Sequence, residues 1–282
     1  MSSMPVLDAR LFAAFQIELL RACLPLVPQG VSLARLGTVL DVGCGLHQWG
    51  KDLFSAITEQ AGKDLAKEVR IDGIERDEAV VAQANGQIRA GRGNIQVYQA
   101  DMYYLPEMLH QRYDLVQARF LSPYVSPSDW PILLDQLIQA ARPGAWVVWI
   151  EPDLPTPAPA SPAWNRWLGW IEQAVQRLGG SPGISAEMDT IFRSAGTWER
   201  IESAVIPIQP GFSSTMQGRV GDEQMRKLHR HLSALHPVLL TAKVASIQQL
   251  DETLSQVLEA FAWRQLQSTW IWHTICGRKK DL

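Results

Sequence analysis

The sequence predicts an α/β fold, a mainly parallel sheet with helices on both faces. Short apolar runs rich in Val and Ile alternate with longer segments of helical periodicity. The first run, "VLDVGCG" (39–45), ends in a glycine-rich turn that leads into a helix, the place where open parallel sheets bind ligands. The chain has 282 residues, 46% apolar and 20% charged, enough to bury the core of one large domain with additions.

The elements follow in order. Residues 8–24 carry Leu11, Phe12, Phe15, Leu19 and Ala22 at helical spacing. "TVLDVG" (38–43) reads as a buried strand, and 47–68 as a helix broken near Gly62. "VRIDGIE" (69–75), "IQVYQAD" (95–101) and "YDLVQA" (113–118) are the next strands, with a helix over 76–91 between the first two. Ser126 caps the following helix, Pro127 takes its first position and Asp129 its third, with Ile132, Leu133, Leu137 and Ala140 as its buried face. "RPGA" (142–145) stops it before the strand "WVVWIE" (146–151). Five prolines in "PDLPTPAPASP" (152–162) exclude a helix or an interior strand there. Ser161 and Pro162 then start a helix whose stripe is Trp164, Trp167, Leu168, Ile171, Val175 and Leu178. A helix over 184–196 leads to the strand "WERIESAVIPI" (198–208). An insertion follows with helices at about 222–235 (Met225, Leu228, Leu232, Leu235) and 247–266 (Ile247, Leu250, Leu254, Val257, Leu258, Phe261), the second opened by a Ser246/Gln249 capping box. "TWIWHTICGR" (269–278) is the last strand. There are no internal repeats.

Composition excludes several classes. A net charge of −3 and a pI near 6.1 argue against a nucleic-acid binder held by phosphate contacts. Cys23, Cys44 and Cys276 are odd in number and unpaired by any metal-type spacing, so no metal is expected and a reducing, cytoplasmic setting fits. No signal peptide and no membrane span is expected. The 11 tryptophans suit a large core or an aromatic-lined pocket.

The glycine turn does not match a pyrophosphate loop. In G-x-G-x-x-G the third glycine would stand where Gln48 does, and no G-K-[ST] follows. "VLDVGCG" instead resembles the first motif of the class I S-adenosylmethionine (SAM)-dependent methyltransferases. The resemblance continues in register through Glu75 at the end of the second strand, "QADMYYLP" after the third, "YDLVQARF" at the fourth and "ARPGAWVVWIE" at the fifth. It implies a Rossmann-like seven-stranded sheet with an antiparallel last strand and helical cap insertions. The expected organisation is an N-terminal helical segment (1–35), a SAM-binding core (36–208 and 268–282, with a cap segment at 152–183) and a helical cap insertion (209–267).

The resemblance also implies the cofactor site. Gly43, Cys44 and Gly45, following Asp41, approach the methionine part of SAM. Glu75 accepts from the ribose hydroxyls. Asp101 and Met102 meet adenine, with the stem of Arg76 beside it, and Arg119 lies near the methionine end. His47 stands where many relatives have a glycine; it either starts the helix with a polar side chain or closes over the amino-acid end of SAM. Cys44 reads as a small loop residue, not a nucleophile.

Methyl transfer needs a general base only when the acceptor must lose a proton. The catalytic residues therefore stay open, with His236, His229 and Glu151 as candidates. Trp49, Phe120, Tyr124 and Asp153 are expected to line the acceptor pocket. The Trp-rich additions suggest a hydrophobic, aromatic small-molecule acceptor methylated on O, N or C, as in secondary metabolism and quinone biosynthesis, and the cap helices suggest a homodimer surface. A SAM-dependent cyclase and a non-catalytic SAM-binding regulator are the competing readings, and an NAD-dependent oxidoreductase is disfavoured by Gln48 and Asp101.

Overall fold

Strand β1 (Thr38–Val42) is buried on both sides, which is why it reads as a continuous apolar run. Val39 points to one face of the sheet and Leu40 to the other. The computed structural model describes residues 24–88, 94–154, 161–208, 222–263 and 269–281. The expected helix at 8–24 lies almost wholly outside these residues.

Seven strands form one sheet in the order β3-β2-β1-β4-β5-β7-β6. They are β1, β2 (Arg70–Glu75), β3 (Ile95–Gln99), β4 (Tyr113–Arg119), β5 (Ala141–Pro152), β6 (Trp198–Ile208) and β7 (Trp270–Lys279). Strands β1 to β5 pair in parallel, and β7 runs antiparallel to both of its neighbours. Its pairing with β5 sets His273 opposite Glu151.

Helices cover both faces. On one lie α1 (Gln48–Ala61), α2 (Lys63–Glu68) and α3 (Glu78–Ile88), packing Trp49, Leu53, Ile57 and Ala84 on Val39, Ile71 and Val148. Gly62 breaks the expected long helix between α1 and α2. On the other face lie α4 (Trp130–Ala140) and α6 (Met188–Ser194), packing Trp130, Leu133 and Phe192 on Leu40, Trp149 and Ile275. A third cluster joins α5 (Pro162–Arg177), α7 (Asp222–Ser233), α8 (His236–Thr241) and α9 (Ile247–Ala262) around Trp164, Trp167, Leu239 and Val257. Among the described residues, no helix is long and apolar enough to cross a membrane.

Several boundaries differ from expectation. Helix α4 begins at Trp130, with Pro131 in its first turn. Ser126 and Asp129 instead close a turn through the Asp129 amide and the Ser126 carbonyl (3.0 Å), and Ile132 is exposed while Leu134 is buried. Strand β5 starts at Ala141, because "RPG" forms an irregularity in its pairing with β4 and does not end the strand's reach. A 3-10 turn at Ile184–Ala186 precedes α6. The caps at Ser161 and Ser246 are present as expected.

Phe192 is wholly buried and stacks on Trp198 at 4.4 Å, both rings lying over Gly277 where a Cβ would not fit. Phe192→Ala is expected to cost about 3–5 kcal/mol through the lost contacts and the cavity; chemical denaturation measures it.

Candidate active site

The carboxyl ends of the parallel strands share one edge of the sheet, and four chain segments meet there. The first is the turn after β1. Gly43 adopts φ 69°, and a Cβ on it would strike Leu121 at 2.6 Å. The Cys44 amide donates to the Ile74 carbonyl (3.0 Å) and the Gly45 amide to Glu75 Oε2 (3.2 Å), which ties the turn to the tip of β2. Glu75 Oε1 also accepts from the amides of Arg76 (2.7 Å) and Asp77 (3.1 Å).

His47 does start α1, at φ 55°, but its side chain is fully buried and not a polar surface group. Its Nδ1 lies 3.1 Å from Asp41 Oδ2, beneath the turn. Gly50 and Gly73 make room for the ring; a Cβ on Gly50 would approach it to 2.4 Å. Asp41, only 2% exposed, thus meets His47 under the turn instead of lining its open side. Cys44 is held far above the usual thiol range by burial first and then by Asp41 and Glu75, which removes it as a nucleophile. The Arg119 guanidinium lies 5.9 Å over the Trp49 ring, and its burial lowers its pKa against the pull of Asp41 and Asp52. Trp49 is itself buried and donates to the Leu26 carbonyl (3.0 Å), so it packs beneath the 24–33 segment.

The second segment follows β3. Asp101 Oδ1 accepts from the Tyr103 amide (3.0 Å), a local turn bond. The Tyr103 phenol is pushed up to about 12 by burial, then by the charges of Asp129 and Asp101, with exposed Arg76 opposing. Met102 is half-buried against the core.

The third segment, 120–125, follows β4. Phe120 adopts φ 61° and stacks on Trp272 at 5.5 Å. Beneath it lies Glu151, wholly buried. Its Oε1 accepts from the Leu121 amide (2.8 Å) and the Trp149 indole (3.3 Å), and its Oε2 from the Ser122 amide (3.0 Å). This catalytic candidate is therefore engaged as an anchor for the loop. Farther along, burial raises Tyr124 above the usual phenol range, and the charge of Glu75 adds to the shift.

The fourth segment joins the end of β5 to the start of β7. Asp153 accepts from Ser185 Oγ on one oxygen, and its Oδ2 lies 2.9 Å from His273 Nε2. The sequence reading placed Asp153 in the pocket but missed both of its partners, which come from distant parts of the chain.

The two expected histidine candidates lie in the cap. His236 packs on Trp167 (5.6 Å), and its Nδ1 is 3.9 Å from Asp251. Burial lowers its pKa, Asp251 raises it and nearby His229 lowers it. His229 stands on α7 and His236 at the start of α8. His229, Met225 and Leu258 line a groove of about 740 Å³ there.

Burial raises Glu151 from the ordinary carboxylate range to about 7, with its amide bonds opposing. The folded protein thus takes up this proton more readily than the unfolded chain. Its contribution is greatest below pH 4.5 and is lost as pH rises through 7, by up to roughly 3 kcal/mol. Glu151→Gln is expected to flatten the fall in stability between pH 4.5 and 7, as read from denaturation midpoints across that range.

The comparisons with known proteins agree with this architecture. A family model described as "Methyltransferase domain" matches residues 12–196. A curated relative, the secondary metabolism regulator laeA of Coprinopsis cinerea, is 26% identical over 188 residues, 61% of this chain and 42% of that protein. The chain therefore spans less than half the length of this relative. A solved structure of Haemonchus contortus phosphoethanolamine N-methyltransferase 2 with S-adenosyl-L-methionine superposes with a TM-score of 0.53 at 13% identity, covering 97% of this chain and 57% of that one. A second, with phosphomonomethylethanolamine and S-adenosylhomocysteine, gives 0.52 at 14% identity over the same shares. At these identities the likeness is one of fold.

Proposed function

The chain belongs to the methyltransferase domain family, and on that premise we propose that it binds SAM across the ends of β1, β2, β3 and β4 and transfers the methyl group to a hydrophobic small molecule. The observation that carries the reading is Glu75. Its carboxylate, at the tip of β2, gathers the amides of Gly45, Arg76 and Asp77 and so ties the glycine turn to the second strand.

When bound, SAM supplies an electrophilic methyl group on a sulfonium. Glu75 accepts from the ribose hydroxyls, using the lone-pair capacity that its three amide bonds leave. Asp101 Oδ2 accepts from the adenine amine, the Met102 amide donates to the ring, and the stem of Arg76 covers it. Gly43 and Gly45 let the backbone approach the methionine part, beside the Arg119 charge. Phe120 and Tyr124 form a wall that excludes water and holds the acceptor in line. The Trp-rich cluster of α5, α7, α8 and α9 favours an apolar, aromatic acceptor, and the likeness to the Coprinopsis secondary metabolism regulator supports a place in secondary metabolism.

Titration calorimetry of the whole chain with SAM, S-adenosylhomocysteine and NAD tests the cofactor: the reading expects micromolar binding of the first two and none of the third. Glu75→Ala is expected to weaken SAM binding by about 1–3 kcal/mol, and unchanged affinity in a folded variant would remove the ribose assignment. Mass spectrometry of aromatic acceptors incubated with SAM then reads the gain of a methyl. SAM binding with no acceptor methylated would favour the regulatory reading, for which the word "regulator" in the relative's name is the support.

A further inference from the structure

We propose that His273 takes the proton of a protic acceptor, an O–H or N–H compound, with Asp153 and Ser185 as its positioning residues. This rests on the methyltransferase reading above.

Because β7 runs against β5, the beginning of β7 lies at the edge where the parallel strands end. His273 stands opposite Glu151 on β5 and Val205 on β6. The 3-10 turn Ile184–Ala186 brings Ser185 to the same place. Asp153 joins the two: Ser185 Oγ donates to its Oδ1, and His273 Nε2 lies 2.9 Å from its Oδ2. An ionised carboxylate only accepts, so Nε2 carries the imidazole hydrogen and the lone pair lies on Nδ1. A base oriented by a carboxylate through its other nitrogen has the arrangement that proton abstraction uses. The group is accessible: the His273 side chain is 25% exposed and that of Asp153 34%, whereas the similar His47–Asp41 pair is sealed at 0% and 2%.

The position also fits. Glu151, opposite His273 and so on the same face of the sheet, binds the amides of Leu121 and Ser122. Leu121, in the same loop, lies against Gly43 of the glycine turn. The start of this loop thus links the glycine turn to the strand pair that carries the imidazole. In the step, the acceptor's oxygen or nitrogen forms a bond to the methyl carbon. The carbon–sulfur bond breaks with its electron pair kept by sulfur, giving S-adenosylhomocysteine. The acceptor's proton passes to His273 Nδ1 and then to solvent. Acceptors methylated without proton loss, such as tertiary amines, make no use of the group. Among the described residues, the ionisable groups set against it are Asp153, by hydrogen bond, and Glu151, opposite it on β5; the residue opposite it on β6 is Val205.

Imidazole ¹⁵N NMR of the full chain tests this, with His273 assigned by its loss in His273→Gln. The proposal expects the Nε2–H tautomer, its reversal in Asp153→Asn, and a shift of Nδ1 when SAM replaces S-adenosylhomocysteine. It also expects His273→Gln to keep SAM affinity within about twofold and to lose about 100-fold or more in turnover of phenol or amine acceptors. A proton on Nδ1, an imidazole blind to the SAM exchange in protein that binds both ligands, or undiminished turnover in His273→Gln overturns it. Failure of the wild-type chain to bind SAM at all would instead sink the methyltransferase reading itself.

Discussion

A carboxylate sealed inside a protein is costly unless donors surround it. Glu151 has two backbone amides and an indole, which offset part of that cost, and the loop after β4 is built on the result. By holding the amides of Leu121 and Ser122 it sets the path of the loop after β4. The Ser181 amide then donates to the Ser122 carbonyl (2.7 Å), and Ser181 Oγ donates to Val125 and accepts from Trp130. The segment leaving the Trp-rich helix α5 is thereby docked onto the same loop. Leu121, in turn, lies against Gly43, so the two turns that frame the proposed cofactor site are fitted to each other.

The glycine turn has its own foundation. The buried His47–Asp41 pair fills the space beneath it, and Gly50 and Gly73 are shaped around the imidazole. A histidine at this position is thus a packing element that demands small neighbours on both α1 and β2. Above the pair, Glu75 fastens the Gly45 amide. The turn is held from below by a buried polar pair and from the side by a half-buried acid, which leaves its remaining face for a ligand.

Much of the fold was legible because β1, β2, β4 and β5 are buried on both faces and read as apolar runs between helical periods. Boundaries were lost where local signals compete. Pro127 and Asp129 look like a helix start yet form a turn, with Pro131 as the residue inside α4. The helix does stop before "RPG", at Ala140, but the strand expected to begin after it already starts at Ala141. The family motifs led to Gly43, Glu75 and Asp101, which the fold brings to the ends of β1, β2 and β3. Burial was not legible, so Glu151 and Asp41 were read as groups open to a ligand, when both face inward. His273 was missed because its partner Asp153 is 120 positions away and no local spacing marks the pair.

The central claim is that one edge of the sheet, from the glycine turn to the loop after β4, receives SAM. Hydrogen–deuterium exchange of the full chain with and without SAM measures this directly. The account predicts slowed exchange in 43–47, 75–77, 101–103 and 119–124. Protection confined to the cap helices 162–177 and 236–262, in protein that binds SAM, would contradict it.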